Sequence, residues 1–157
     1  MTSQRIVLTL TSPEATCAFA TRLGGRLQPG DVLLLDGGIG AGKTHFARCL
    51  VQSLQDAPED VPSPTFTLVQ VYDTRKGEIW HADLYRLSDP DQCAELGLAD
   101  AFDSAICLVE WPDRLEDLTP TEALSLSFAP AADDSARILT LSWSAPRWDR
   151  VIPDLAA

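Results

Sequence analysis

Two kinds of apolar pattern divide the chain. Val32–Asp36 and Ala105–Val109 are nearly continuous apolar runs of strand length, the signature of strands covered on both faces. Arg5–Leu10, Thr67–Tyr72, Glu78–Leu84, Leu124–Phe128 and Arg137–Trp143 predict further strands. The turn-like Thr74–Gly77 joins the middle pair, and the polar link Pro130–Ser135 makes the last two a hairpin. Helical spacing appears elsewhere. Ser12-Pro13-Glu14 predicts a helix start, with Ser12 as cap and proline in the first turn, and Gln28-Pro29-Gly30 closes that segment. Phe46, Cys49, Leu50 and Leu54 line one face of a helix running from Lys43 to about Gln55. Prolines 58, 62 and 64 make residues 56–64 a loop, and Asp89-Pro90 opens a short helical stretch containing Cys93, Leu96 and Leu98. With 157 residues and no internal repeat or domain linker, a single domain spanning residues 1–157 is expected.

Between the strand at Val32–Asp36 and the helix at Lys43 lies "GGIGAGKTH", which changes the picture from fold to chemistry. Gly37, Gly42, Lys43 and Thr44 satisfy G-x-x-x-x-G-K-[ST], in the strand–loop–helix setting that this phosphate loop requires. Glycines allow successive backbone N–H groups of Gly38, Ile39, Gly40, Ala41, Gly42 and His45 to surround phosphate oxygens, and the helix N-terminus adds partial positive charge. Lys43 is expected on the β- and γ-phosphates, and the Thr44 hydroxyl on Mg²⁺. A plain glycine turn is the alternative.

Charge sharpens the reading. The 157-residue chain carries a formal net charge of −11, with Lys43 and Lys76 its only lysines and its ten arginines dispersed among 23 acids. Tight direct binding to nucleic acid calls for a basic stripe, so none is expected. No run approaches the roughly 20 apolar residues that cross a bilayer, and the opening MTSQRIVLTLTS lacks a cleavage site, so a cytoplasmic protein is expected. The four scattered cysteines show no metal or disulfide spacing and predict buried, reduced thiols.

A phosphate loop needs an acid to orient Mg²⁺. Glu110, ending the apolar run in "AICLVEW", is placed at the sheet edge for that task, although aspartate is more usual there. In "EIWHADLYRL", alternation puts Ile79, His81, Asp83 and Tyr85 on one face. Asp83 is open to three roles: Mg²⁺ through water, orientation of an attacking water, or an ion pair with Arg86. His81 reads as a hydrogen-bonded structural residue. In "PSPTFT", Thr65 is the candidate sensor of the γ-phosphate, against a plain proline-stiffened loop. The chain has no asparagine, so the N-K-x-D element that reads guanine is absent and ATP is favoured over GTP. No arginine-rich lid is identifiable, which favours an ATPase over a small-molecule kinase. A nucleotide-gated assembly subunit is the other alternative.

"LLLDGGIGAGKTHFAR", "SPTFTLVQVY", "IWHADLYRL", "LGL" and "ICLVEWPDRL", in this order and spacing, resemble the TsaE (YjeE) family of bacterial P-loop ATPases, from about Ser12 to Leu115 and weakly through the final hairpin. The resemblance implies an α/β fold, a P-loop NTPase-like mixed β-sheet flanked by helices with a C-terminal β-hairpin, and a part in forming threonylcarbamoyladenosine next to the tRNA anticodon. It implies ATP and Mg²⁺ as cofactors, and TsaD and TsaB as partners whose complex is reset by ATP hydrolysis. By the same resemblance, Lys43 and Thr44 serve phosphate and Mg²⁺, Glu110 is the Mg²⁺ ligand and Asp83 the second essential acid. Trp111 is similar to a functionally important tryptophan, and Thr16 and Arg137 sit where the family approaches the adenine. Gly38 and His45 depart from the aspartate and threonine common in the family.

Overall fold

A computed structural model describes residues 3–64, 67–87, 89 and 91–156. In chain order its elements are β1 (Gln4–Leu10), α1 (Pro13–Gly24), β2 (Val32–Gly37), α2 (Lys43–Ser53), β3 (Val69–Thr74), β4 (Gly77–Asp83), α3 (Asp91–Glu95), α4 (Leu98–Ser104) and β5 (Ile106–Glu110). A 3₁₀ segment (Pro112–Leu118), β6 (Leu124–Pro130), β7 (Arg137–Trp143) and α5 (Trp148–Ala156) complete it. The strands form one sheet in the order β1-β7-β6-β2-β5-β4-β3. β2 runs parallel to β5 and β6, and β4 parallel to β5, whereas β1, β7 and β3 are antiparallel to their neighbours.

The two continuous apolar runs became the adjacent central strands, for the reason their composition implies. Leu33, Leu35, Ile106 and Leu108 enter the core on the face covered by α1, α2 and α5, while Val32, Leu34, Cys107 and Val109 enter the core on the opposite face. Strict alternation holds in β4 as well: Ile79 faces the first core and Ala82 the second, which leaves His81 and Asp83 on the first face. Ser12 caps α1 by accepting from the Ala15 amide at 3.0 Å, with Pro13 in the first turn.

Three elements differ from the sequence expectation. The helical stretch after Asp89 divides at Gly97 into α3 and α4, because Gly97 takes a left-handed conformation that ends one helix and begins the next. Helix α5 lies in a segment for which the sequence reading set no element. Its Trp148, Val151, Ile152 and Leu155 are buried at helical spacing, but Pro153 inside it reads as a breaker. Third, Cys17 of α1 and Cys49 of α2 form a disulfide, which corrects the expectation of reduced thiols. The two residues are 32 apart in sequence with Cα atoms 5.2 Å apart, so only the packing of α1 on α2 brings them together. Cys93 and Cys107 are buried and free, as expected.

Arg147, just before α5, fastens the C-terminal segment to the entrance of β2. It donates to both carboxylate oxygens of buried Asp31, through Nε at 2.6 Å and through Nη2, and Nη2 also donates to the Arg26 carbonyl at 2.9 Å. Removing one member of such a pair strands a buried charge. Arg147→Ala is therefore expected to cost about 3 kcal/mol in urea unfolding, and a loss below about 0.5 kcal/mol, ordinary for surface substitutions, would contradict that role.

Candidate functional site

Parallel strands β2, β5 and β4 end side by side, and their carboxyl ends build the site. In register, Leu35 is opposite Glu110 and Glu110 is opposite Asp83, so both acids arrive beside the loop that leaves β2. That loop begins at Gly37, which has φ of 144° and lies so close to β6 that a Cβ would come within 2.6 Å of the Phe128 carbonyl oxygen. Only glycine fits there. At its other end Gly42, with φ of 109°, is the residue before the first turn of α2. Gly38 is different: an added Cβ would meet nothing within 4 Å, so a side chain there would reach open space.

Lys43 opens α2 and is 5% exposed. Its ammonium donates to the carbonyls of Gly37 and Gly38 and lies 3.7 Å from the centroid of the Trp111 ring, a cation–π contact. Burial pushes the Lys43 pKa below its ordinary value, and the nearby carboxylates of Glu110 and Asp83 oppose that shift without cancelling it. Trp111 follows β5 in a left-handed conformation (φ 58°), and the Tyr85 ring packs on it at 4.8 Å between centroids.

The Thr44 hydroxyl lies 3.0 Å from each oxygen of Glu110 and donates to this carboxylate. His81 Nε2 is 2.6 Å from Glu110 Oε2. Asp83, 5% exposed, accepts from the Ser63 hydroxyl and from the Tyr85 amide, each at 3.0 Å. Lys43, Thr44, Ser63, Asp83, Tyr85, Glu110 and Trp111, with Thr16, Ile39, Gly40, Ala41, Gly42, His45 and Arg137, border a cavity of about 850 Å³, while His81 lies buried outside its lining. That volume suits a nucleotide-sized ligand. The donor set of hydroxyl and carboxylate oxygens suits Mg²⁺ chemically. Among the described residues no three His, Cys, Asp or Glu side chains cluster as a metal site, so a cation here would be held by one or two carboxylates with water or other oxygens completing its shell.

Several sequence candidates have unforeseen local partners. The Arg137 guanidinium is held by loop carbonyls, through Nε to Ala41 at 2.9 Å and Nη2 to Gly40 at 3.3 Å, so it props the loop from the β7 side. His45 Nε2 is 3.0 Å from the Pro13 carbonyl and 3.8 Å from Cys49 Sγ, which ties the start of α2 to α1. Thr16 is buried, its hydroxyl donating to the Ser12 carbonyl at 3.4 Å. Thr65 lies outside the described residues. Sequence reasoning missed Ser63 and the partner of His81. Alternation had placed His81 on the face of Asp83, but nothing local could name Glu110 as its partner.

A family model described as "Threonylcarbamoyl adenosine biosynthesis protein TsaE" matches residues 10–139. A tRNA threonylcarbamoyladenosine biosynthesis protein TsaE from Rickettsia bellii is 37% identical over 125 residues, 80% of this chain and 87% of the relative. One of the same name from Bacillus subtilis is 35% identical over 146 residues, 92% and 90% of the two chains. The crystal structure of Bacillus subtilis YdiB superposes with a TM-score of 0.81 at 30% identity, covering 99% of this chain and 96% of that one. The mixed sheet flanked by helices is thus a fold shared with a solved P-loop-like relative.

Because burial lowers the Lys43 pKa, anion binding in the loop is expected to weaken as pH rises through that lowered value, before reaching 10.5. Calorimetric titration with tripolyphosphate across the alkaline range checks this. Lys43→Arg, whose charge persists there, should bind with no such decline beyond that of the ligand, and an equal decline in both proteins would contradict the assignment.

Proposed function

Since the chain belongs to the TsaE family and so to tRNA threonylcarbamoyladenosine biosynthesis, we propose that it is a Mg²⁺-dependent ATPase whose turnover resets the TsaD–TsaB transferase complex in the cytoplasm. One observation carries the ATPase reading: the Thr44 hydroxyl and the Glu110 carboxylate converge at 3.0 Å beside Lys43, at the mouth of a glycine-rich loop. Backbone amides of the loop and the α2 N-terminus bind the phosphates. Lys43 exchanges its two carbonyl acceptors for β- and γ-phosphate oxygens, which are stronger, charged partners. Thr44 and Glu110 hold Mg²⁺, with Asp83 beside them; bound there, the ion neutralises charge developing on the phosphate oxygens. Asp83, fixed by Ser63 and the Tyr85 amide, orients the attacking water.

The charge distribution supports the division of labour with TsaD and TsaB. A chain with net charge −11 gains nothing from the tRNA backbone, so the partners hold the RNA while this chain supplies the hydrolysis.

Steady-state phosphate release, with and without purified TsaD–TsaB, tests the reading together with two variants. The complex is expected to raise a low basal rate at least about tenfold, roughly 1.4 kcal/mol of barrier. Lys43→Ala should abolish nucleotide binding, and Glu110→Gln should retain binding yet lose at least about 100-fold in turnover. Undiminished hydrolysis by Glu110→Gln would remove that residue from the site. Label from the γ-phosphate appearing on a small acceptor would replace the ATPase by a kinase, and modification supported over many turnovers by a non-hydrolysable analogue would replace it by a binding-only subunit.

A further inference from the structure

We propose that His81 is a positioning residue for Glu110: its Nε2–H clamps one carboxylate oxygen so that the other, with the Thr44 hydroxyl, is presented to the cation. This rests on the Mg²⁺ reading above. His81 lies on β4, between β5 and the edge strand β3, and is 0% exposed. In register it is opposite Leu108, which makes Glu110, two residues on, its diagonal neighbour on the same face. The 2.6 Å contact between Nε2 and Glu110 Oε2 is therefore built into the strand pairing.

Hydrogen-bond arithmetic assigns the proton. Glu110 already accepts from Thr44, and a carboxylate oxygen facing a bare ring nitrogen at 2.6 Å would oppose two lone pairs. Nε2 as donor satisfies this contact, and in the neutral ring Nδ1 is then an acceptor. Among the described residues, Nδ1 is the buried side-chain polar atom that finds no partner. An unsatisfied buried polar atom is costly, and an apolar side chain of similar size would avoid that cost beside Ile79 and Leu108, with Gln70 opposite on β3. Core packing alone does not account for an imidazole here; a fixed donor to Glu110 does.

The clamp also explains why this site works with glutamate in place of the more usual aspartate. Glutamate has one more rotatable bond, so its carboxylate samples more positions unless something stops it. His81 stops it from below, within the sheet, while Thr44 approaches from α2. Neighbours that orient a metal ligand in this way typically change metal affinity or activity by about 10–100-fold when removed.

The test measures the gain in affinity that Mg²⁺ confers on a non-hydrolysable ATP analogue, by calorimetry with Mg²⁺ or with chelator, in the full chain. His81→Leu is expected to keep the chelator-state affinity and to lose about 10–100-fold of the Mg²⁺-dependent gain, and His81→Gln, which restores an N–H donor, to recover part of it. A folded His81→Leu protein with an undiminished gain overturns the proposal. Glu110→Gln, run in parallel, separates the two readings. If it loses the gain and His81→Leu does not, His81 alone is excluded; if the unsubstituted protein shows no gain, the Mg²⁺ reading falls and the clamp with it. Should His81→Leu not fold, ¹⁵N spectra of the unsubstituted protein decide. The chain has two histidines, so His45→Gln assigns the remaining imidazole to His81. The Nε2–H tautomer, with an Nε2 resonance that moves on adding Mg²⁺ and analogue, is expected; the Nδ1–H tautomer or an unmoved resonance overturns the clamp.

Discussion

Three parallel strands must end together before a hydroxyl on a helix can reach a carboxylate on a strand, and the contact between Thr44 and Glu110 at 3.0 Å is where that constraint is met. It joins α2 to β5 across the loop that both elements flank. The Leu35–Glu110 and Glu110–Asp83 registers set the depth of each acid, and a slip of one residue would turn either acid toward the opposite core. The apolar cores above and below β2 and β5 hold that register. Packing is in this sense the source of the site's geometry, and the site adds little packing of its own.

Local and global electrostatics pull in opposite directions. The chain as a whole repels anions, yet the loop gathers N–H groups, a helix terminus and a lysine around one small volume. Lys43 contacts the carbonyls of Gly37 and Gly38 and the face of Trp111. Phosphate binding as proposed would displace these contacts, so part of the attraction would go into rearrangement. Arg137 and the Cys17–Cys49 disulfide brace the loop and its two helices from the flanks, which limits how far that rearrangement spreads.

The central strands, the glycine-rich loop and the placement of Glu110 were legible because each depends on a short local pattern: continuous apolar residues, a four-position motif, an acid at the end of a run. The face shared by His81 and Asp83 was legible from alternation alone. What was not legible depends on contacts between distant segments. The disulfide needs α1 packed on α2, the turn of Arg137 onto the loop needs β7 placed two strands from β2, and the His81–Glu110 bond needs the β4–β5 register. Helix α5 is a different case: its period was present in Trp148, Val151, Ile152 and Leu155, and Pro153 masked it.

The most direct measurement is a crystal structure of this chain with Mg²⁺ and a non-hydrolysable ATP analogue. The account expects the Lys43 ammonium to have left the Gly37 and Gly38 carbonyls for the terminal phosphates, with Mg²⁺ beside the Thr44 hydroxyl and Glu110. A nucleotide bound away from residues 37–44, with Lys43 still on its two carbonyls, would contradict it.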